Sequence, residues 1–485
     1  MAVQPAEQGR QIVSSIVDET IRKLDANEFP NALRGINHAA NEIKQTLVNE
    51  KLNPDDFIMA GTIGDLDMRL STSDEIEKKR FGQLESGLLL DPSSELFAQA
   101  QQTEREILIE YHKELNIYGY DSVARGTKAS SEYIRKEAED MGVITKDIDD
   151  VWLTDGGMGA LARIYRGLHT MIKNEKGRDA IMLSPEVCFP MATNCATDHG
   201  LQVEFVQTGD MPGQQINKQA IERYFTNDGK IPDVVLLTPA ENPTAKSYEP
   251  NNLREVILLL KEKNPDAIFV FDMAYMAMIP KKRSEEIVQV IKETGAYSQS
   301  IFALSESKHF AEPALRLGAM IVPDNKSLRT AMQDDTIRNY SSFGYKTDIW
   351  FQVLNRMVTP ETLAEYNLLL RTRQYALLEV LRDLDPTHKY FKNLDTLSVP
   401  GFHNEGDGTI EMDNPLYLYI ELQEGISALK DVAKDLGIFG VPGSVFGDQY
   451  NHMRFSLGVV SLEQILKRSQ QTMSRLKDTL VKPKE

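Results

Sequence analysis

Between residues 150 and 325, short apolar runs alternate with longer stretches of helical period. The runs are Val151–Leu153, Ala180–Leu183, Val203–Val206, Val234–Leu237, Ile268–Phe271, Ile301–Leu304 and Ala319–Val322. Buried strands that alternate with helices build a mostly parallel sheet, so the pattern predicts a seven-stranded α/β domain over 148–328. Before it, residues 1–57 read as charged amphipathic helix, with apolar positions Ile12, Ile16, Ile21, Leu33, Ile36 and Ile43. This is an arm more than a catalytic unit. Residues 58–147 are assigned to the N-terminal part of a smaller domain and its connecting helices. After 329, helical period returns over Leu363–Leu384, followed by the alternating run Leu416–Glu421 and the run Phe455–Val459. That part, 329–485, is expected to be an α+β domain joined by the N-terminal part of the chain. No repeat and no Gly/Ser-rich or Pro-rich linker divides the chain, so the domains are expected to interleave.

At 485 residues the chain exceeds one core of ordinary size. Hydrophobic residues at 41% and charged residues at 26% fit a globular protein, and no apolar run approaches a bilayer span. The N-terminus has neither a basic nor an apolar signal region, which makes cytoplasm the expected address. Cys188 and Cys195 have no histidine in register, so reduced thiols are expected and no metal site is assigned. A net charge of −18 disfavours nucleic acid as a partner. An anionic ligand would then need local positive charge from particular lysines and arginines.

The segment Ser305-Glu306-Ser307-Lys308-His309-Phe310-Ala311-Glu312-Pro313-Ala314-Leu315-Arg316-Leu317-Gly318 follows the run Ile301–Leu304. A lysine at a buried strand end is pushed toward the neutral amine that attacks aldehydes. Arg316 offers a guanidinium fork for a phosphate, and Ser305 a hydroxyl. At the next strand end upstream stand Asp272 and Tyr275, in Phe271-Asp272-Met273-Ala274-Tyr275. There an aspartate either caps the following helix or serves a ligand. Asn242-Pro243 follows the run Val234–Leu237, where it is also a turn signal. Thr154-Asp155-Gly156-Gly157-Met158-Gly159 joins the first run to a helix, and its glycines let backbone N–H groups approach an anion. No Gly-Lys-Ser/Thr follows, so it is not a nucleotide P-loop. Ser184-Pro185-Glu186-Val187-Cys188-Phe189-Pro190 places Phe189 either in the core or against a flat ligand.

In this order the elements resemble those of the class I/II aminotransferases, fold-type I enzymes that use pyridoxal 5′-phosphate (PLP) and include aspartate aminotransferase. The resemblance implies a large PLP-binding domain and a Schiff base on Lys308. It implies that Asp272 keeps the pyridine nitrogen protonated, and that Tyr275 and Asn242 donate to the ring oxygen. Gly157, Met158, Gly159, Ser305 and Arg316 would hold the phosphate, although the family usually has Ser or Thr near Met158. Phe189 would stack on the ring, with two residues more than usual separating it from Pro185. Met453-Arg454-Phe455-Ser456, after Val441-Pro442-Gly443, resembles the element whose arginine binds the substrate α-carboxylate. Gly64, in Ala60-Gly61-Thr62-Ile63-Gly64, resembles the glycine loop near the substrate, and Asn242 would also touch it. Tyr120, one residue too far from Gly126, resembles the tyrosine that reaches the phosphate from a neighbouring subunit, and a homodimer is implied. Ile337-Arg338-Asn339-Tyr340-Ser341 resembles, one residue short, a segment that reads a distal carboxylate; a solvated helix end is the alternative for Arg338. The activity implied is amino transfer between an amino acid and a 2-oxo acid. A PLP-dependent lyase or decarboxylase uses the same parts, and a PLP-binding sensor is the alternative outside enzymes.

Overall fold

The computed structural model describes residues 4–63, 95–114, 125–143, 150–208, 215–227, 229–309, 315–339, 345–396, 399–404 and 410–480. The chain divides into two compact units, one of Met1–Gly87, Pro243–Ala245 and Ala364–Glu485, the other of Leu88–Asn242 and Lys246–Leu363. These changeovers differ from the 57/58, 147/148 and 328/329 boundaries expected from periodicity. Helical period shows that a helix is amphipathic without showing which core it covers. Helices α3 (Glu95–Glu114), α4 (Lys128–Asp140), α7 (Lys326–Arg338) and α8 (Tyr345–Met357) belong to the unit that holds the large sheet.

That sheet has seven strands: β1 (Val151–Asp155), β2 (Ile181–Pro185), β3 (Gln202–Val206), β4 (Val234–Leu237), β5 (Ile268–Asp272), β6 (Ser300–Ser305) and β7 (Leu317–Ile321). Each contains most of one expected apolar run. The spatial order is β1-β7-β6-β5-β4-β2-β3. All neighbours are parallel except β7, which runs against both β1 and β6. Helix α5 (Gly156–Lys176) covers the sheet with Ala160, Leu161, Ile164, Tyr165, Leu168 and Ile172, spaced as one helical face. They meet Trp152, Met182, Leu236, Val270, Ile301 and Met320 from six different strands. Burying each large aliphatic side chain of this set stabilises the unit by roughly 1.5–3 kcal/mol. Gly177, at φ 66°, ends the helix in the left-handed conformation.

Strand direction sets where the loops meet. The parallel strands all end at one edge, and β7, running the other way, begins there. Its register pairs Asp155 with Leu317 and Ser305 with Gly318. Gly318 lies so close to the turn after β1 that an added Cβ would stand 2.8 Å from Gly156 Cα.

In the other unit, α1 (Pro5–Asp25) and α2 (Ala32–Asn49) pack together. The buried stripe of α1 is Val13, Val17 and Thr20, with the expected Ile12, Ile16 and Ile21 at its half-buried margins. Thr20 can be buried in that stripe because it returns its hydroxyl to Ile16 O at 2.7 Å. On α2, Leu33, Ile36 and Ile43 are buried as expected. A three-stranded antiparallel sheet of this unit is β8 (Tyr417–Glu421), β9 (Val441–Pro442) and β10 (His452–Ser456), in the order β8-β10-β9. The expected run Phe455–Val459 covers only the end of β10. The strand begins earlier, with His452 and Arg454 buried, and polar residues inside a strand hide it from an apolar pattern.

Replacing Gly318 with alanine sets a methyl group against main chain that has no rotamer to give. Gly318→Ala is expected to cost about 1–3 kcal/mol of stability in urea unfolding; an unchanged midpoint would show that the two turns can separate.

Candidate active site at one edge of the sheet

Helix α5 starts at Gly156 directly from β1. The Asp155 side chain makes no capping bond, so the first-turn N–H groups are left to other acceptors. Gly156 has φ 78°, and a Cβ there would stand 2.5 Å from Arg316 Nη2. A Cβ on Gly157 would stand 2.8 Å from Ser305 Cβ. These absent side chains let Arg316 and Ser305 reach the helix N-terminus. Arg316 itself has φ 56°, a conformation that costs a residue with a side chain about 1–2 kcal/mol. Its exposed guanidinium donates to Asp155 O at 3.4 Å. A cation, a hydroxyl and a helix N-terminus thus share one place, as an oxyanion ligand requires. The Met158 side chain packs against the sheet–helix core, which leaves its backbone to serve the loop. Gly159 follows in the same first turn.

Two strands along, β5 ends at Asp272, which is only 8% exposed. Burial pushes its carboxyl up to about 6, opposed by the hydrogen bond that Oδ1 accepts from Ala274 N at 3.1 Å. A cation beside it would restore the carboxylate. Tyr275, also buried, accepts a hydrogen bond from Asn242 Nδ2 at 3.1 Å, so its phenol proton is directed away from Asn242. Asn242 is held in a tight reversal after β4, where Glu241 N donates to Lys246 O at 2.9 Å and Tyr248 N to Pro239 O at 2.9 Å. Lys308 is half-buried in a four-residue helix, Glu306–His309, that leaves the end of β6.

The edge therefore gathers Gly157, Met158, Gly159, Asn242, Asp272, Tyr275, Ser305, Lys308 and Arg316. Phe189 caps helix α6 (Pro190–Asp198) after β2 and, half-buried, packs against the same core as Met158. Arg338 is the exposed last residue of α7 and lines a groove between α7 and α5 with Gly167, Met171 and Asp335. Cys188 and Cys195 are free thiols, both half-buried. Gly64 and Tyr120 lie outside the described residues. No helix among the described residues is long and apolar enough to cross a membrane.

Arg454 belongs to the other unit. It is 1% exposed on β10, between Tyr419 of β8 and Val441 of β9 in register. Its guanidinium lies 4.5 Å from the Tyr417 ring centroid and 4.6 Å from that of Phe446, and Nη2 donates to Thr62 O at 3.1 Å. Aromatic faces hold a guanidinium plane in place and leave its edge for a carboxylate.

One group of residues at the sheet edge escaped the sequence. Glu306 and His309, on either side of Lys308, meet Glu137 of α4. The first two stood in the lysine segment without a role, and nothing in the local sequence marks Glu137 as their neighbour.

Residues 83–375 match the family described as aminotransferase class I and II. The chain belongs to that family. This aminotransferase-family match takes in the whole large sheet and stops short of Arg454. The architecture is that of fold type I, and several solved aminotransferases share it. Alanine aminotransferase from Pyrococcus furiosus has a TM-score of 0.62 at 20% identity, covering 94% of this chain and 98% of that one. Aspartate aminotransferase from Rhizobium meliloti has a TM-score of 0.63 at 13% identity, covering 93% and 96%. Aspartate aminotransferase from Thermotoga maritima has a TM-score of 0.62 at 16% identity, covering 94% and 99%. At such identities the likeness establishes fold and carries no substrate. No curated protein sequence matches the chain.

The buried carboxyl of Asp272 leaves a pH signature. Its pKa is raised on folding from 3.8 to about 6, so its contribution is fully present below about pH 4 and is lost as pH rises through about 6. A two-unit shift corresponds to about 3 kcal/mol. Unfolding free energies of cofactor-free protein, measured from pH 4 to 7.5, should show this loss in the wild type and not in Asp272→Asn. Parallel curves for the two proteins would contradict it.

Proposed function

We propose that this chain is a PLP-dependent aminotransferase that moves an amino group between an amino acid and a 2-oxo acid, with Lys308 as the cofactor lysine. The observation that carries the reading is the convergence of Lys308, Asp272, the Asn242–Tyr275 pair and the Arg316–glycine cradle at one sheet edge, in a chain of the aminotransferase family. Members of this family depend on PLP, and the residues present suit it. The cradle at Gly156 and Gly157 suits a phosphate. The buried Asp272 carboxyl, raised by burial, suits a pyridine nitrogen that carries a proton.

When bound, PLP supplies an aldehyde that accepts amines and a ring that takes up the electron pair of a deprotonated substrate carbon. Lys308 Nζ would be the amine that holds the cofactor's aldehyde, and the same amine would move the proton from the substrate Cα. Asp272 keeps the proton on the ring nitrogen. Asn242 and Tyr275 direct hydrogen bonds to the ring oxygen. Arg316, Ser305 and the first turn of α5, with Gly157, Met158 and Gly159, hold the phosphate. Arg454 reads the α-carboxylate of the amino acid, supported by its place in the family's element order and its fixed guanidinium plane. By the same resemblance the working form is a homodimer, and a monomer in sedimentation at assay concentration would remove that part.

Purified protein with added PLP should be yellow, and borohydride should fix the cofactor on the Lys308 peptide in the mass spectrum. Lys308→Ala should lose amino transfer altogether, and Asp272→Ala should lose at least about a hundredfold in kcat, because the electron sink then lacks its counter-charge. An amino-acid panel read by mass spectrometry should yield keto acids and pyridoxamine phosphate. Release of ammonia or carbon dioxide instead would replace the transferase reading with a lyase or decarboxylase.

A further inference from the structure

Glu306 and His309 bracket Lys308 in the short helix after β6, and the chemistry above uses neither. Residues three apart share a helical face, and Lys308 between them points off it. The face they share meets α4. His309 Nδ1 lies 3.0 Å from Glu137 Oε1 and 3.2 Å from Glu306 Oε2. Tyr133, one turn before Glu137, donates its hydroxyl to Glu137 Oε1 at 2.7 Å. Glu306 is 3% exposed and Glu137 9%.

Two carboxyls so buried and so near each other cannot both ionise without compensation. Burial pulls His309 down, but Glu137 and Glu306 outweigh it and hold the imidazole at about 10. Burial, and then the charge of Glu137, pushes Glu306 up to about 8. Burial raises Glu137 as well, yet His309 prevails and keeps it below the usual carboxylate range. Tyr133 is the other titratable group of α4 that acts on this cluster, and Asp140 acts in turn on Tyr133. Near neutral pH the set is an imidazolium, one carboxylate and one carboxylic acid, and carries no net charge. Among the described residues Glu137 Oε2 has no hydrogen-bond partner, and a proton on Glu306 would supply a donor to it. The three ligand atoms lie within 4.8 Å of one another, so a divalent cation is the other way to neutralise them. The protonated set is already neutral without one.

We propose that Glu137, Glu306 and His309 form a proton-sharing clamp that ties the Lys308 helix to α4 and so positions the lysine amine for the cofactor. Its effect on Lys308 rests on the reading of that residue as the cofactor lysine; the clamp itself does not. Glu137, Glu306 and His309 are positioning residues, since they act through Lys308.

The full chain should show a strongly downfield imidazolium N–H proton at pH 7 by proton–nitrogen NMR, missing from His309→Gln and Glu137→Gln and still present in Lys308→Ala. In stopped-flow mixing with PLP, Glu137→Gln should slow growth of the visible absorption band about tenfold or more, as misplacement of a reacting group does. Equilibrium dialysis of PLP should differ less than about threefold between Lys308→Ala and the double variant Lys308→Ala/Glu137→Gln, because phosphate holding is untouched. The proposal is overturned if the downfield proton is absent from the wild type, or if Glu137→Gln captures PLP at the wild-type rate. Elemental analysis that finds one equivalent of a divalent metal, lost on substitution of Glu137, would overturn it in favour of a metal site. Should the wild-type chain capture no PLP, the reading of Lys308 fails, and the NMR signal alone decides the clamp.

Discussion

The main chain of Gly318 rests against that of Gly156, and the candidate site depends on that contact. It exists because β7 enters the sheet against the direction of β1 and β6, which brings the start of one strand beside the ends of two others. A side chain at either glycine would hold the turns apart and lift Arg316 away from the first turn of α5. Arg316 keeps a left-handed backbone at this junction, a cost repaid by the register that surrounds it. The phosphate holding proposed for this edge would therefore rest on strand order and on missing Cβ atoms as much as on the one guanidinium.

The same edge concentrates buried polar groups that the protein satisfies in different ways. Asn242 and Tyr275 satisfy each other and leave the phenol proton aimed elsewhere. Asp272 has a main-chain donor, and burial raises its carboxyl, the kind of perturbation that functional sites concentrate. Glu137, Glu306 and His309 pair with one another. Such sites lower the stability of a fold, and they persist where the sheet and α5 supply enough apolar burial to carry them.

Much of this was legible in the sequence. Seven apolar runs became seven strands because strands buried on both faces must be apolar along their length. Asp272 could be placed at a strand end for the same reason, since the polar residue that closes its apolar run also closes the strand, and Lys308 and Asn242 could be placed in the connections that follow such ends. The pattern failed where polar residues are themselves buried. β10 begins at His452, ahead of the run that announced it, and the buried stripe of α1 runs through Thr20.

What the sequence determined by itself was local: the strands, their order along the chain, and the residue that follows each. Periodicity and turn chemistry act over a few residues and are written there. Only the tertiary structure decided which strand ends are neighbours, because the order β1-β7-β6-β5 follows from packing between segments far apart in the chain. It alone put Arg316 over Gly156, and it alone brought Glu137 to the helix that carries Lys308. A buried carboxylate finds its partner by proximity in space, and no spacing along the chain encodes that distance.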